Sequence, residues 1–306
     1  MKKPFRPELP TPADPKDPIA KIKIVDLTPR DLPEGGTLLV LQVNAKDDRA
    51  DPASPSYGAL VPAEAQAIEE QSSGFMDGIY RRLDASQRES VEVIVFASKA
   101  PLITPNGQNS QHSRTYESAE RIIAGIQASM VRQGLDGSQL LNAEGKPEAE
   151  SGLNDLTCKN QEFVEHLVTK YGPKKFWAVL EDDTEAKTRA RLGAEGPNGI
   201  ARRMNAALKK MVLGFAATYH KENPGKRLIV WAVGTYDTIS PWVKGAVIGH
   251  KPAVLWVPAE KKGGIVIEVA PDLRSAKTQL GENSFSIPML LRDKARCYGQ
   301  PDQPTR

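Results

Sequence analysis

The chain has 306 residues, 40% hydrophobic and 26% charged, the balance of an ordinary globular protein long enough for one large domain or two average ones. Its 41 Lys and Arg against 38 Asp and Glu leave a net charge of +3. That argues against a dedicated nucleic-acid or anionic-membrane binder, since those concentrate a basic face. Cys158 and Cys297 allow at most one bridge, too few for a disulfide framework, and are most simply read as reduced thiols.

Six prolines between Pro4 and Pro18, interleaved with charges, predict an extended, poorly ordered arm over residues 1–22. The basic start runs into these prolines where a secretory leader would carry an apolar stretch, so a cytoplasmic location is expected. Thr37 to Leu41 is a continuous apolar run after Gly35-Gly36, the pattern of a strand covered on both faces. Ile68, Phe75, Ile79 and Leu83 form a loose helical stripe, and Val91 to Phe96 reads as a second strand. Ala119, Ile122, Ile123, Ile126 and Met130 form a tighter stripe, and Phe163, Val164, Leu167 and Val168 a shorter one.

Between these helices, residues 134–160 and 181–199 are polar and glycine-containing and are read as insertions over the sheet. Ile200, Met204, Leu208, Met211, Phe215 and Tyr219 mark a helix of about five turns, whose other face carries Arg202, Arg203, Lys209 and Lys210. Leu228 to Val233 is a third strand, far too short to span a bilayer. Ala253–Val257 and Ile265–Val269 flank Lys261-Lys262-Gly263-Gly264 as a hairpin, and residues 301–306 form a flexible tail. The order of elements predicts an α/β fold over residues 23–300, a three-layer αβα sandwich with a mainly parallel sheet.

In such folds ligands bind beyond the carboxyl ends of the strands. That rule selects Gln42-Val43-Asn44, Ala97-Ser98-Lys99 and the Gly234–Thr238 turn, together with the helix start at His112–Ala119. A helix amino terminus favours anions, and Arg114 adds a two-pronged cationic fork, so a phosphate is the natural guess. The competing reading makes Arg114 a solvated helix-end charge.

Here the layout resembles the histidine phosphatase superfamily, with its phosphoglycerate-mutase-like fold, over about residues 37–131 and 198–270. In that family an Arg-His-Gly motif ends the first strand, and its histidine accepts the phosphoryl group. A Ser-Pro…Arg-Ala-x-x-Thr-Ala motif follows the second strand, and a second histidine ends a later one. Ser98 with Arg114-Thr115-Tyr116-Glu117-Ser118-Ala119 looks like the second motif, and Val233–Ile239 like the third. The resemblance implies a pocket of Gln42, Asn44, Ser98, Arg114, Tyr236 and Asp237.

The family's catalytic residues are missing from these positions, since Gln42-Val43-Asn44 replaces Arg-His-Gly and Tyr236 replaces the second histidine. Valine has no nucleophilic atom, and a tyrosine hydroxyl with an ordinary pKa near ~10 is no substitute for an imidazolium. The expected function is therefore non-catalytic: a degenerate member that binds a small ligand or a protein partner at the former active site. The alternative is a phosphomonoesterase working through His112, Tyr236 or Asp237.

Other candidates are weaker. The four histidines, His112, His166, His220 and His250, show no metal-ligand spacing, so neither a metal nor a cofactor is expected. Glu181-Asp182-Asp183-Thr184-Glu185 lacks the ligand spacing of a calcium loop. Ten Lys and Arg between Lys187 and Arg227 face only Glu195 and Glu222, a charge run that reads as a solvated helix face. His220, beside Lys221 at a helix end, is expected to complement the helix dipole as a cation.

Overall fold

A computed structural model describes residues 27–51, 53–102, 109–154, 157–172, 179–180, 183–249 and 262–288, the side chains of 157–160 excepted. The predicted arm and tail, the Ala253–Val257 half of the hairpin, His250, Cys297, Trp177, Trp256, Glu181 and Asp182 lie outside the described residues.

The sheet is built from β1 (Thr37–Val43), β2 (Val91–Ala97), β3 (Glu148–Ala149), β4 (Arg227–Gly234), β5 (Gly264–Val269), β6 (Ala276–Leu280) and β7 (Asn283–Ser286). Their order is β3-β2-β4-β1-β5-β6-β7. The β3-β2-β4-β1 half is parallel, and β5, β6 and β7 extend it by antiparallel pairing. Every residue of β1 and β4 is buried, as expected of central strands covered on both faces.

Side-chain alternation sorts β1 between two helical layers. Leu38 and Val40 pack with α1 (Pro62–Tyr80) and α3 (Arg114–Arg132), which follow β1 and β2. Leu39, Leu41 and Val43 pack with the opposite layer, formed mainly by α6 (Pro197–Lys209) and α8 (Tyr236–Trp242). Four further α-helices are described: α2 (Ala85–Glu89), α4 (Thr157–Tyr171), α5 (Ala186–Arg191) and α7 (Ala217–Glu222). The architecture is the predicted αβα sandwich.

The long predicted helix is present, but it is not uniform. α6 passes into a π-helical stretch, Lys210–Ala216, before α7. Each π turn widens the coil, so the buried stripe Ile200, Met204, Leu208, Met211 shifts to Val212, Ala216 and Tyr219. Phe215, predicted within the stripe, is half-buried and instead stacks on Tyr219 at 6.1 Å.

α1 and α3 touch backbone to backbone. A Cβ on Gly125 would sit 2.2 Å from the Glu69 carbonyl oxygen and from Ser72 Oγ, a space only glycine leaves. The Ser72 hydroxyl crosses this seam to donate to the Ile122 carbonyl at 3.2 Å.

A small separate core gathers Phe163 and Leu167 of α4 with Val179, Leu180, Ala194 and, from α6, Ile200. Residues 139–141 and β3 run along the outer side of β2, with Val93 bonding both Gln139 and Leu141. The predicted strand Ile265–Val269 falls within β5, which is joined to β6 through residues 270–275, and β6 to β7 through Gly281 at φ +60°. The β6–β7 hairpin is absent from the sequence reading, although Ala276–Leu280 alternates buried and exposed residues with the strand period.

Candidate functional site at the carboxyl edge

β1, β2 and β4 end level with one another, Val43 opposite Gly234 and Ala97 opposite Val233. The loop after β1 leads to α1 on one face of the sheet and the turn after β4 to α8 on the other, so the chain diverges between these two neighbouring strands.

Gln42 is wholly buried beneath α1. Its amide nitrogen donates to Gln71 Oε1 (2.9 Å) and the Lys262 carbonyl (3.2 Å), and its oxygen accepts the Trp231 indole N–H (2.9 Å). Asn44 continues the β1–β4 ladder through its backbone N–H, which donates to the Gly234 carbonyl at 2.9 Å. The next N–H, of Ala45, donates to Ser118 Oγ, and Ser118 donates to the Arg114 carbonyl, tying the end of β1 to the first turn of α3.

The Ser98 hydroxyl donates to Asn154 Oδ1 at 2.7 Å, while its carbonyl accepts from Ser113 and Thr115 at the start of α3. Asn154 also accepts at its carbonyl from Thr238 Oγ1 (3.1 Å) and Arg203 Nη1 (2.8 Å). Through Asn154, then, Ser98 is linked to the turn after β4. Thr235 and Thr238 share a hydroxyl contact at 3.1 Å there, Asp237 is buried and Tyr236 is half-buried.

Arg114 opens α3, whose N-cap residue Ser113 makes no side-chain cap. Its guanidinium lies 3.7 Å from Asp47 Oδ1, with the two side chains only 13% and 5% exposed. Asp47 also accepts from Arg49 Nε at 2.8 Å. The structure thus joins Arg114 to the loop after β1, and Ser98 to the turn after β4, while Gln42 faces inward under α1.

His112 precedes this helix start. Its Nδ1 lies 2.6 Å from Glu117 Oε1, and its Nε2 lies 3.0 Å from the Pro55 carbonyl. With Lys99 and Tyr116 it lines a cleft of about 270 Å³. A larger cleft of about 510 Å³ lies between α1 and α3, lined by Leu60, Pro62, Ala65 and Glu69. Glu117 and Glu120 belong to both clefts, and partial burial together with the nearby Glu117 charge pushes the Glu120 carboxyl up. Gln42, Asn44, Ser98, Arg114, Tyr236 and Asp237 line neither cleft.

The other described histidines lie elsewhere. His166, in α4, faces Glu185 at 3.6 Å. His220 lies at the opposite edge of the sheet, its Nε2 2.8 Å from the hydroxyl of Thr37 at the start of β1. Burial pulls its pKa down, which favours the neutral ring over the expected helix-end cation.

Among the described residues no group of three or more His, Cys, Asp or Glu is placed to hold a metal, and no helix is long and apolar enough to cross a membrane.

Two residues of the edge carry no signal of it in the amino-acid sequence. Asn154 lies in a predicted insertion and carries no motif. Arg203, predicted on a solvent face, turns inward to hold Glu195 with Nε and Nη2 and the Gly152 and Asn154 carbonyls with Nη1. Much of the basic run is neutralised in the same way: Arg189 pairs with Asp183, Lys210 with Glu150 and Lys226 with Glu92.

No family model and no curated protein matches this sequence. Among solved structures, it is similar to the crystal structure of phosphoglycerate mutase from Bacillus anthracis str. Sterne. The match has 11% identity and a TM-score of 0.43, and covers 84% of this chain and 96% of that one.

Proposed function

We propose that this protein is a non-catalytic binder of a small phosphorylated ligand, held at the carboxyl edge with Arg114 as its cationic contact. One observation carries this reading. The motif resemblance places phosphoryl-accepting histidines at the ends of β1 and β4, and this chain has Val43 and Tyr236 there. Among the described histidines, His112 is engaged at both ring nitrogens, His166 lies in α4, and His220 lies at the far edge. Phosphoryl transfer to histidine needs a free imidazole nitrogen in line with the phosphate.

Binding needs less. The uncapped start of α3 offers backbone N–H groups and the positive end of a 19-residue helix, and Arg114 adds a charged donor beside it. On this reading Ser98, Asn44, Tyr236 and Asp237 shape the pocket, while Gln42 supports β1 from below. A degenerate histidine phosphatase fits this pattern, its scaffold kept and its nucleophile lost.

A phosphomonoesterase is the second reading, favoured by the His112–Glu117 contact, a carboxylate orienting an imidazole as in many general bases. Against it, the nitrogen that would take a proton already faces the Pro55 carbonyl.

The test is hydrolysis of a generic phosphomonoester beside calorimetric titration with inorganic phosphate, for the wild type and Arg114→Ala. The binding reading expects no turnover, and phosphate binding that Arg114→Ala abolishes. Turnover lost in His112→Ala would establish the esterase reading instead.

A further inference from the structure

The loop after β1 is not a slack connection. The described residues 47–51 and 53–60 come together at a neck where Asp47 and Leu60 form an antiparallel bridge. Asp48 N–H donates to the Ala59 carbonyl and Gly58 N–H to the Asp48 carbonyl, both at 2.7 Å. Val61 N–H donates to the Lys46 carbonyl just below. The result is a compact loop whose ends meet.

Its body is fastened to the start of α3 at three points. His112 Nε2 meets the Pro55 carbonyl at 3.0 Å, Ser110 Oγ donates to the Tyr57 carbonyl at 2.6 Å, and Leu60 N–H donates to Glu117 Oε2 at 3.1 Å. Glu117 therefore holds both the histidine and the neck. Gly58, at φ +91°, lets the loop lie against Leu102 and Ser110, either of which a Cβ would meet at 3.1 Å.

The charge at the neck is Asp47, and it sits against Arg114. From this we infer that Asp47 is a built-in competitor for the Arg114 guanidinium, so that an anion reaching Arg114 displaces the carboxylate and loosens the 47–60 loop. The inference rests on the proposed role of Arg114 and adds its regulation.

The physical argument is one of charge and position. A phosphate brought beside the 5%-exposed Asp47 carboxylate would meet a like charge that water screens poorly. Asp47 has a second cation at hand, Arg49 at 2.8 Å, so it can give up Arg114 without being stranded. Because Asp47 forms the neck, a shift of its side chain bears on the bridge to Leu60 and on the fastenings behind it. Coupling of this kind is reciprocal, so loosening the loop must also tighten anion binding.

The experiment uses the full chain as wild type, Asp47→Asn, Arg114→Ala and His112→Gln, with a circular dichroism spectrum of each to establish folding. Inorganic phosphate is titrated by calorimetry, and amide hydrogen exchange is followed at residues 53–60 with and without phosphate. Asp47→Asn is expected to bind phosphate roughly tenfold more tightly or better, the scale of one close, poorly solvated charge pair no longer in competition. Phosphate is expected to speed exchange at 53–60 in the wild type. Binding seen only in Asp47→Asn also supports the inference, since Asp47 then outcompetes phosphate outright.

Phosphate binding that needs Arg114 but is unchanged in Asp47→Asn, with 53–60 exchange unmoved, overturns the inference and leaves the binding reading standing. Absence of phosphate binding in every form, Asp47→Asn included, overturns both. Should Asp47→Asn not fold, the decision passes to the wild-type exchange and to His112→Gln. Unchanged affinity in that variant together with unmoved wild-type exchange overturns the inference.

Discussion

His220 shows how burial changes what a single side chain contributes. Sequence position alone made it a cation at a helix end, but its ring lies under the start of β1 with Tyr219 edge-on at 5.4 Å. Burial lowers its folded pKa below the unfolded value of about 6.5. Between those two values the unfolded chain binds more protons, so stability rises with pH through that window. His220 costs nothing above about pH 6.5 and destabilises the fold as pH falls below it. Urea midpoints measured at about pH 5 and about pH 7.5 are expected to differ less in His220→Asn than in the wild type. An unchanged difference would mean that other groups set the acid sensitivity.

Gln42 makes a related point within the candidate site. Its place at a strand end makes it a pocket candidate, and in the folded chain its amide is engaged by Trp231, Gln71 and Lys262. The pattern of apolar residues located β1 correctly. It carried no information on which way the amide turns, because that depends on an indole from β4 and an amide from α1, distant in sequence.

Packing between elements is governed by residues that hydrophobic periodicity ignores. α1 and α3 were both legible from their apolar stripes, but the closeness of their contact depends on Gly125 and Ser72. In an exposed helix, Gly→Ala gains about 1 kcal/mol. At Gly125 the new methyl meets a backbone carbonyl that cannot move aside, so overpacking outweighs propensity. Gly125→Ala is expected to lose about 1–3 kcal/mol by urea denaturation. Gly74, in α1 with nothing within 4 Å, provides the control, and Gly74→Ala is expected to gain about 0.5–1 kcal/mol. A gain at both positions would mean that the helices can separate.

The π-helical stretch in the long helix was equally invisible. The stripe from Ile200 to Tyr219 fits three- and four-residue spacing throughout, and only packing against the sheet reveals that Val212 and Ala216 take the buried face in place of Phe215.

Across the whole molecule, Arg203 fastens distant parts of the chain together. It joins α6 to the Gly152–Asn154 turn, and that turn to Ser98 and Thr238 at the carboxyl edge. Arg203→Ala removes bonds from a largely buried guanidinium and leaves Glu195 without this cation. The expected loss is about 2–3 kcal/mol, with faster hydrogen exchange at 150–154. Arg203→Lys is expected to recover only part of it, since one ammonium cannot span the carboxylate and both carbonyls. Full recovery would reduce the role of Arg203 to charge alone.

The αβα sandwich, the three central strands and the stripes of the main helices are legible in the amino-acid sequence alone. These follow from the periodicity of apolar residues, a local property that burial imposes and one chain displays. The partners at the carboxyl edge are set only by the fold: Asp47 beside Arg114, Asn154 between Ser98 and Thr238, Glu117 and Pro55 around His112. Polar contacts have no period, and the segments that supply them lie up to 84 residues apart. Only the folded chain brings their charges and lone pairs within reach.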